Sequence, residues 1–196
     1  MMLPMSVPRA YSARLSGVIG VVACVALLAG GCGGSSATAK VKPTAYFTSV
    51  CGAVGDWVTS VKARESALVE GLPSLSSAVQ GRRALQGFVA DVITATHRAQ
   101  TRIKAAGVPN LSDGQRVAST LRNAFDRIDG VLARAQSQTN HLPTSNPAAF
   151  SAAATQMGSS VQQALTSIGS GLSSELSPTV DKASSQIPAC RSLKSL

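Results

Sequence analysis

The chain has 196 residues, of which 44% are hydrophobic and 14% charged, and its formal net charge is +9 at pH 7. This length supplies one domain with its own hydrophobic core. Aromatic residues make up only 4%, which argues against a surface that stacks nucleic-acid bases, so we expect no specific nucleic-acid partner. The positive charge favours anionic lipid or an anionic cell-wall polymer instead.

The first 31 residues have the pattern of a signal peptide. Arg9 and Arg14 precede an apolar run from Leu15 to Leu28, and small residues then lead to Cys32. The run has the length of a signal's apolar region and is shorter than the about 20 residues that span a membrane. A signal that ends at a cysteine resembles the lipobox of bacterial lipoproteins. The resemblance implies cleavage before Cys32 and diacylglycerol on its sulfur.

A second lipobox-like motif ends at Cys24, but its apolar region would be shorter and would leave Val25–Leu28 on the mature protein. We therefore predict lipidation at Cys32, with residues 1–31 as the cleaved signal and residues 32–43 as a flexible tether. A plain membrane anchor or a secretory signal is the alternative. The predicted location is the outer face of the cytoplasmic membrane.

Two cysteines remain after the predicted processing, Cys51 and Cys190. An exported domain with two cysteines most simply pairs them. The sequence has no Cys-x-x-Cys and no cysteine–histidine cluster, so a redox or metal role is disfavoured. We predict a disulfide that closes nearly the whole domain.

From residue 44 onward the apolar residues recur at spacings of three and four, which is typical of amphipathic helices. The first helix is predicted over Thr44–Glu70, where a glycine and a proline follow. The second begins at Ser76 or at Arg82 and ends at Ala106. No segment alternates with the period of a strand, so we predict no strand.

Three further helices follow. Ser112-x-x-Gln115 predicts a capping box at the start of the third helix, which fades over Asn140–Pro143. Asn146-Pro147 has the pattern of an N-cap followed by a first-turn proline, and it begins the fourth. A short fifth helix is predicted from Ser177-Pro178 to near Pro188.

Four long helices with short links predict an all-α fold over residues 44–196, an antiparallel up-down four-helix bundle. In such a bundle the start of the first helix and the end of the fourth lie at the same end. Cys51 lies early in the first helix and Cys190 follows the last one. The predicted disulfide and the even helix count therefore support each other.

Five short motifs carry a family resemblance over most of residues 44–193. They are Tyr46-Phe47-x-x-Val50-Cys51-Gly52 with Trp57, Phe88-Val89-x-Asp91-Val92, Ala105-Ala106-Gly107-Val108-Pro109, Asn146-Pro147-Ala148-Ala149-Phe150 and Pro188-Ala189-Cys190-Arg191. Together they are similar to small secreted lipoproteins of high-GC Gram-positive bacteria. The resemblance implies an anchored helical domain, and it brings no catalytic residue to this chain.

Motifs of hydrolysis, metal binding and phosphate binding are missing from the sequence. Neither His97 nor His141 follows a glutamate by three residues, so a bundle di-metal site is excluded. Either histidine is conceivable as a lone haem ligand, although a structural role is expected. Asp126 and Asp129 lie among arginines at helical spacing, which favours intrahelical ion pairs over an acid–base pair. We expect no enzyme, no metal and no cofactor.

Basic residues concentrate in the second and third predicted helices, which indicates a weak anion-binding surface. Its predicted members are Arg82, Arg83, Arg98, Arg102, Arg116 and Arg122. The fourth helix has no basic residue and is rich in small residues, so it is a candidate surface for a protein partner. The predicted function is a membrane-anchored binding or scaffold module. The alternative is a carrier of a small apolar ligand or haem between the helices.

Overall fold

The computed structural model describes residues 40–175 and 178–193, which are mostly helical. Cys24, Cys32, the predicted signal peptide and the first part of the predicted tether lie outside these residues. Among the described residues, no helix has both the length and the apolar character needed to cross a membrane.

Four long helices form most of the described chain, and two short ones follow. The long helices are α1 (Pro43–Gly71), α2 (Ala78–Ala105), α3 (Gly114–Asn140) and α4 (Pro147–Glu175). The short ones are α5 (Pro178–Ser185) and α6 (Pro188–Leu193). A 3₁₀ turn over Leu72–Ser74 links α1 to the segment before α2. The prediction of four long helices is confirmed.

Two helix starts use the side chains that their sequences indicate. Ser77 caps α2 by accepting a hydrogen bond from the Gln80 amide at 3.3 Å, one residue after the earlier predicted start. Asn146 caps α4, because its Oδ1 accepts from the amides of Ala148 and Ala149 at 2.9 and 3.1 Å. Both caps satisfy donors that a helix leaves unpaired at its first turn.

The predicted capping box at Ser112 is wrong, because α3 begins later, at Gly114. Asp113 precedes the helix, and its carboxylate accepts a hydrogen bond from Arg116 at 2.8 Å. The helix start is set by packing, since a Cβ at Gly114 would lie 2.0 Å from the Pro109 carbonyl oxygen.

The prediction of one short helix after α4 is also incomplete. The chain forms two, and buried Ile187 lies between them. Pro188 begins α6, so Cys190 lies inside a helix and does not follow the last one. A helix of six residues is too short for its apolar spacing to identify it.

The prediction of no strand is wrong as well. Lys40–Val41 (β1) pairs in parallel with Val108–Pro109 (β2). Gly107, with a φ of 79°, ends the α2 segment and turns the chain so that β2 is extended. A two-residue pair is too short to produce an alternating pattern in the sequence.

The hydrophobic core runs along α3, whose buried face extends from Gly114 to Thr139. In α1 the buried residues lie only between Tyr46 and Ala53. Successive long helices pack on each other, and α5 and α6 pack on α1. The predicted disulfide is confirmed: Cys51 and Cys190 are joined with a Cα–Cα distance of 5.0 Å. The more exposed second half of α1 is where surface grooves form.

Candidate functional site

Two ion pairs cross the seam between α1 and α2. Arg64 Nη1 lies 3.3 Å from Asp91 Oδ2, and Arg102 binds the carboxylate of Asp56. As the residue number rises along α1, the partner's number falls along α2. All four side chains are substantially exposed, so each pair contributes at most about 1 kcal/mol to stability.

Arg98 and Ser60 lie between these two ion pairs. Both line a groove of about 610 Å³ toward the Asp56 side and a second of about 370 Å³ toward Arg64. Within residues 40–175 and 178–193, neither side chain makes a hydrogen bond or an ion pair. We call this position, with the two grooves that meet there, the Arg98 seam.

The floor of the Arg98 seam is a rigid aromatic side chain. Trp57 donates a hydrogen bond from its indole Nε1 to Thr96 Oγ1 at 3.0 Å, and buried Thr96 in turn donates to the Val92 carbonyl at 2.9 Å. The Trp57 ring also meets the edge of Phe125, with the centroids 5.5 Å apart. The indole is therefore held in place, while the small side chain of Ala95 leaves space above it.

A third groove, of about 510 Å³, lies between α2 and α3 and contains Lys104 and Arg122. Here the expectation of intrahelical ion pairs for Asp126 and Asp129 is wrong. Asp129 is bonded to His97 Nε2 at 2.8 Å, and Asp126 accepts from Gln100 at 3.1 Å, so both face α2. Spacing along one helix shows which residues share a face, but not which helix packs against that face.

The six arginines predicted as an anion-binding surface divide into two groups. Three are bonded within the protein: Arg102 to Asp56, Arg116 to Asp113 and the Glu175 carbonyl, and Arg122 to the Gly107 carbonyl. The other three, which have no bond among the described residues, are Arg82, Arg83 and Arg98. The fold brings Arg98 and Arg102 to one groove and places Arg122 in another.

Tyr46 is the largest of the fully buried side chains of the core, with 1% of its surface exposed. Its hydroxyl has no hydrogen-bond partner among the described residues. Burial raises the pKa of Tyr46 to about 12, and the nearby positive charge of Arg122 opposes that rise. Tyr46 is therefore a neutral core residue at physiological pH.

An apolar corner lies where the end of α1 meets the starts of α2 and α4. Its cavity of about 440 Å³ is lined mainly by apolar residues, including Leu68, Leu85 and Phe150. Gly81 allows close contact, because a Cβ there would lie 2.8 Å from the Phe150 ring. The large exposed hydrophobic residues of the described chain, Val69, Leu72 and Val79, lie in the segments that form this corner.

The two histidines are both bonded within the protein. His97 is joined to Asp129, and His141 Nδ1 donates to the Ser137 carbonyl at 2.8 Å. Within the described ranges, no three His, Cys, Asp or Glu side chains cluster closely enough to hold a metal ion.

Comparisons with protein-family models, with curated proteins and with solved structures found no match. Sequence reasoning had identified Arg98 but not Ser60 or the two ion pairs beside it. The repeat of Asp56, Ser60 and Arg64 at intervals of four residues was the available signal.

Proposed function

We propose that this protein is a lipoprotein, anchored by diacylglycerol on Cys32 at the outer face of the cytoplasmic membrane, and that it acts by binding. The five short motifs of the helical part resemble those of small secreted lipoproteins of high-GC Gram-positive bacteria. The observation that carries the proposal is the order of basic residues, a short apolar run and small residues directly before Cys32. Two acyl chains on one cysteine suffice for stable anchoring.

The helical part of the proposal is an antiparallel up-down bundle. It is supported by side-chain pairs whose numbers run in opposite directions on successive helices. Between α1 and α2, Asp56 pairs with Arg102 and Arg64 pairs with Asp91. Between α3 and α4, Thr120 contacts Glu175 and Thr139 contacts Met157. Short links between the long helices fit this topology.

The disulfide-closed end of the bundle then faces the membrane. Cys32 precedes Lys40 by eight residues, which reach at most about 28 Å when extended. Lys40 begins the strand that leads directly into α1, and Cys51 lies in the third turn of that helix. The links after α1 and after α3 point away from the membrane in this arrangement.

The proposed activity is binding or scaffolding and not catalysis. Four aspartates at the helix seams are already bonded to an arginine, a histidine or an amide: Asp56, Asp91, Asp126 and Asp129. Arg82, Arg83 and Arg98 remain available for an anionic lipid or cell-wall polymer, and the uncharged α4 for a protein partner.

Metabolic labelling with palmitate tests the anchor. The full chain, expressed in a bacterium that processes lipoproteins, should incorporate label and fractionate with membranes. Cys32→Ala should abolish labelling, whereas the matched variant Cys24→Ala should leave it unchanged. Labelling that survives Cys32→Ala, or is lost in Cys24→Ala, would refute the assignment.

A second function, carriage of a small apolar ligand, is favoured by the apolar corner. Its cavity of about 440 Å³ lies in the usual range for small-molecule sites. A fluorescent fatty acid should then bind the full chain with one site, and Phe150→Asp should abolish that binding. The corner does not favour haem, because neither His97 nor His141 lines it and both are bonded within the protein.

A further inference from the structure

Along the Arg98 seam, ion pairs join α1 to α2 on either side of Arg98, but Arg98 itself has no acidic partner within the described part of the chain. From the Asp56–Arg102 pair, one helical turn along both helices leads to Ser60 on α1 and Arg98 on α2. Both residues line the same two grooves, as this register requires.

The charges on this face leave Arg98 uncompensated. Each carboxylate that lines the two grooves is already paired, Asp56 with Arg102 and Asp91 with Arg64. At the position on α1 where an acidic residue could pair with Arg98, the chain has Ser60, whose hydroxyl can donate and accept a hydrogen bond. The seam therefore presents one free guanidinium and one free hydroxyl to a single negative charge.

The shape of the seam restricts that anion further. Grooves extend in both directions from Arg98, so the charged group can have a substituent on each side. We propose that the Arg98 seam binds a phosphodiester of a polyol-phosphate polymer, with the phosphate at Arg98 and Ser60 and the neighbouring units along the grooves. A phosphodiester carries one negative charge between two organic substituents, which matches one cation between two grooves.

The surroundings favour a hydrophilic polymer over a phospholipid. Each groove ends at an ion pair, Arg64–Asp91 on one side and Asp56–Arg102 on the other. The charged side chains at the groove ends can hydrogen-bond to the hydroxyl-rich units of such a polymer. The acyl chains of a phospholipid would instead remove water from these charges, which costs free energy. Trp57 and Ala95 supply a floor for the carbon backbone of the polyol.

This inference deepens the proposed binding function and rests on an extracytoplasmic location. Its test does not involve Cys32, because anchoring is read from labelling and the seam from ligand binding. Failure of the proposed anchor would therefore show in the labelling experiment, and failure of the proposed phosphodiester site would show in the binding experiment.

Trp57 supplies the readout, since the chain has one tryptophan and it lies in the seam. Full-length lipoprotein in micelles of a neutral detergent is titrated with poly(glycerol phosphate), and the indole fluorescence is followed. We expect saturable binding that weakens as salt is raised. Arg98→Gln should weaken binding by about tenfold or more, as loss of a charge-assisted hydrogen bond predicts.

Two further variants sharpen the test. Ser60→Asp places the missing acid opposite Arg98, so it should also weaken binding by about tenfold while the protein stays folded. Arg127→Gln is the matched control, because Arg127 is exposed on α3 and lines none of these grooves. It should change the affinity less than twofold. Circular dichroism verifies that each variant is folded.

Three results would overturn the inference. One is an affinity unchanged in Arg98→Gln or in Ser60→Asp. Another is an equal loss in Arg127→Gln, which indicates non-specific charge attraction. The third is a Trp57 response to phosphatidylglycerol added to the micelles and none to the polymer, which would assign the seam to a lipid headgroup.

Discussion

Tyr46 combines a large buried ring with a hydroxyl that lacks a partner among the described residues. Burial of a polar group without a hydrogen bond costs about 1–3 kcal/mol, so packing of the ring must outweigh that cost. The ring meets the neighbouring Phe47 edge-on, with centroids 5.3 Å apart. Tyr46 therefore stabilises the disulfide end through its ring and not through its hydroxyl.

The raised pKa of Tyr46 predicts a loss of stability at alkaline pH. In the unfolded chain a tyrosine loses its proton at about 10, whereas folded Tyr46 keeps it until about 12. The unfolded state thus binds fewer protons between these values, and the free energy of unfolding falls as pH rises through that window, by up to about 3 kcal/mol. Urea unfolding from pH 8 to 12 should show the loss, and Tyr46→Phe should remove that part of it.

The same residue has a direct spectroscopic readout. The other tyrosine, Tyr11, lies in the predicted signal peptide, so Tyr46 would be the one tyrosine of the chain that the proposed cleavage leaves. Its phenolate absorbance should titrate near pH 12 in the folded protein. A midpoint near 10 without unfolding would contradict the burial described above.

Alanine substitutions at two glycines of α3 should change the stability of the protein in opposite directions. Gly130 lies in mid-helix, where a Cβ would meet only the Arg134 side chain at an ordinary contact distance of 3.9 Å, so Gly130→Ala should stabilise the protein by about 0.5–1 kcal/mol. Gly114 packs against the Pro109 carbonyl, so Gly114→Ala should cost about 1–3 kcal/mol through forced displacement of β2. Thermal and urea unfolding measure both, and equal effects of the two substitutions would contradict the packing of β2 on α3.

Apolar spacing was sufficient to locate the long helices, because each buries one continuous face. It did not identify β1 and β2, since a two-residue pair joined by Gly107 leaves no periodic pattern. It also assigned Asp126 and Asp129 to their own helix, because spacing carries no information on which helix lies opposite. The seam position of Arg98 and Ser60 depends on the register between α1 and α2, which only the structure supplies.

The disulfide holds the C-terminal helices onto the rest of the molecule. Cys51 and Cys190 are separated by 139 residues, and α6 packs on α1 beside them. The double variant Cys51→Ala/Cys190→Ala should lose about 2–5 kcal/mol of stability. Hydrogen exchange should accelerate first in α5 and α6 and least in the buried face of α3. Uniform acceleration across the helices would contradict this account.

At the scale of the whole molecule, one end is closed covalently and the other holds the apolar corner. The Arg98 seam lies on the flank between them, about 14 Å along α1 from Cys51 at 1.5 Å per residue. In the proposed arrangement, with the anchor on Cys32, that position would keep the seam clear of the bilayer surface and accessible to an envelope polymer.

The lipid anchor is measured directly by the mass of the N-terminal peptide of protein extracted from membranes. We expect a chain that begins at Cys32 and carries a diacylglyceryl thioether on its sulfur, with or without an added acyl group on the amine. An unmodified Cys32, or a mature chain that begins at another residue, would contradict it.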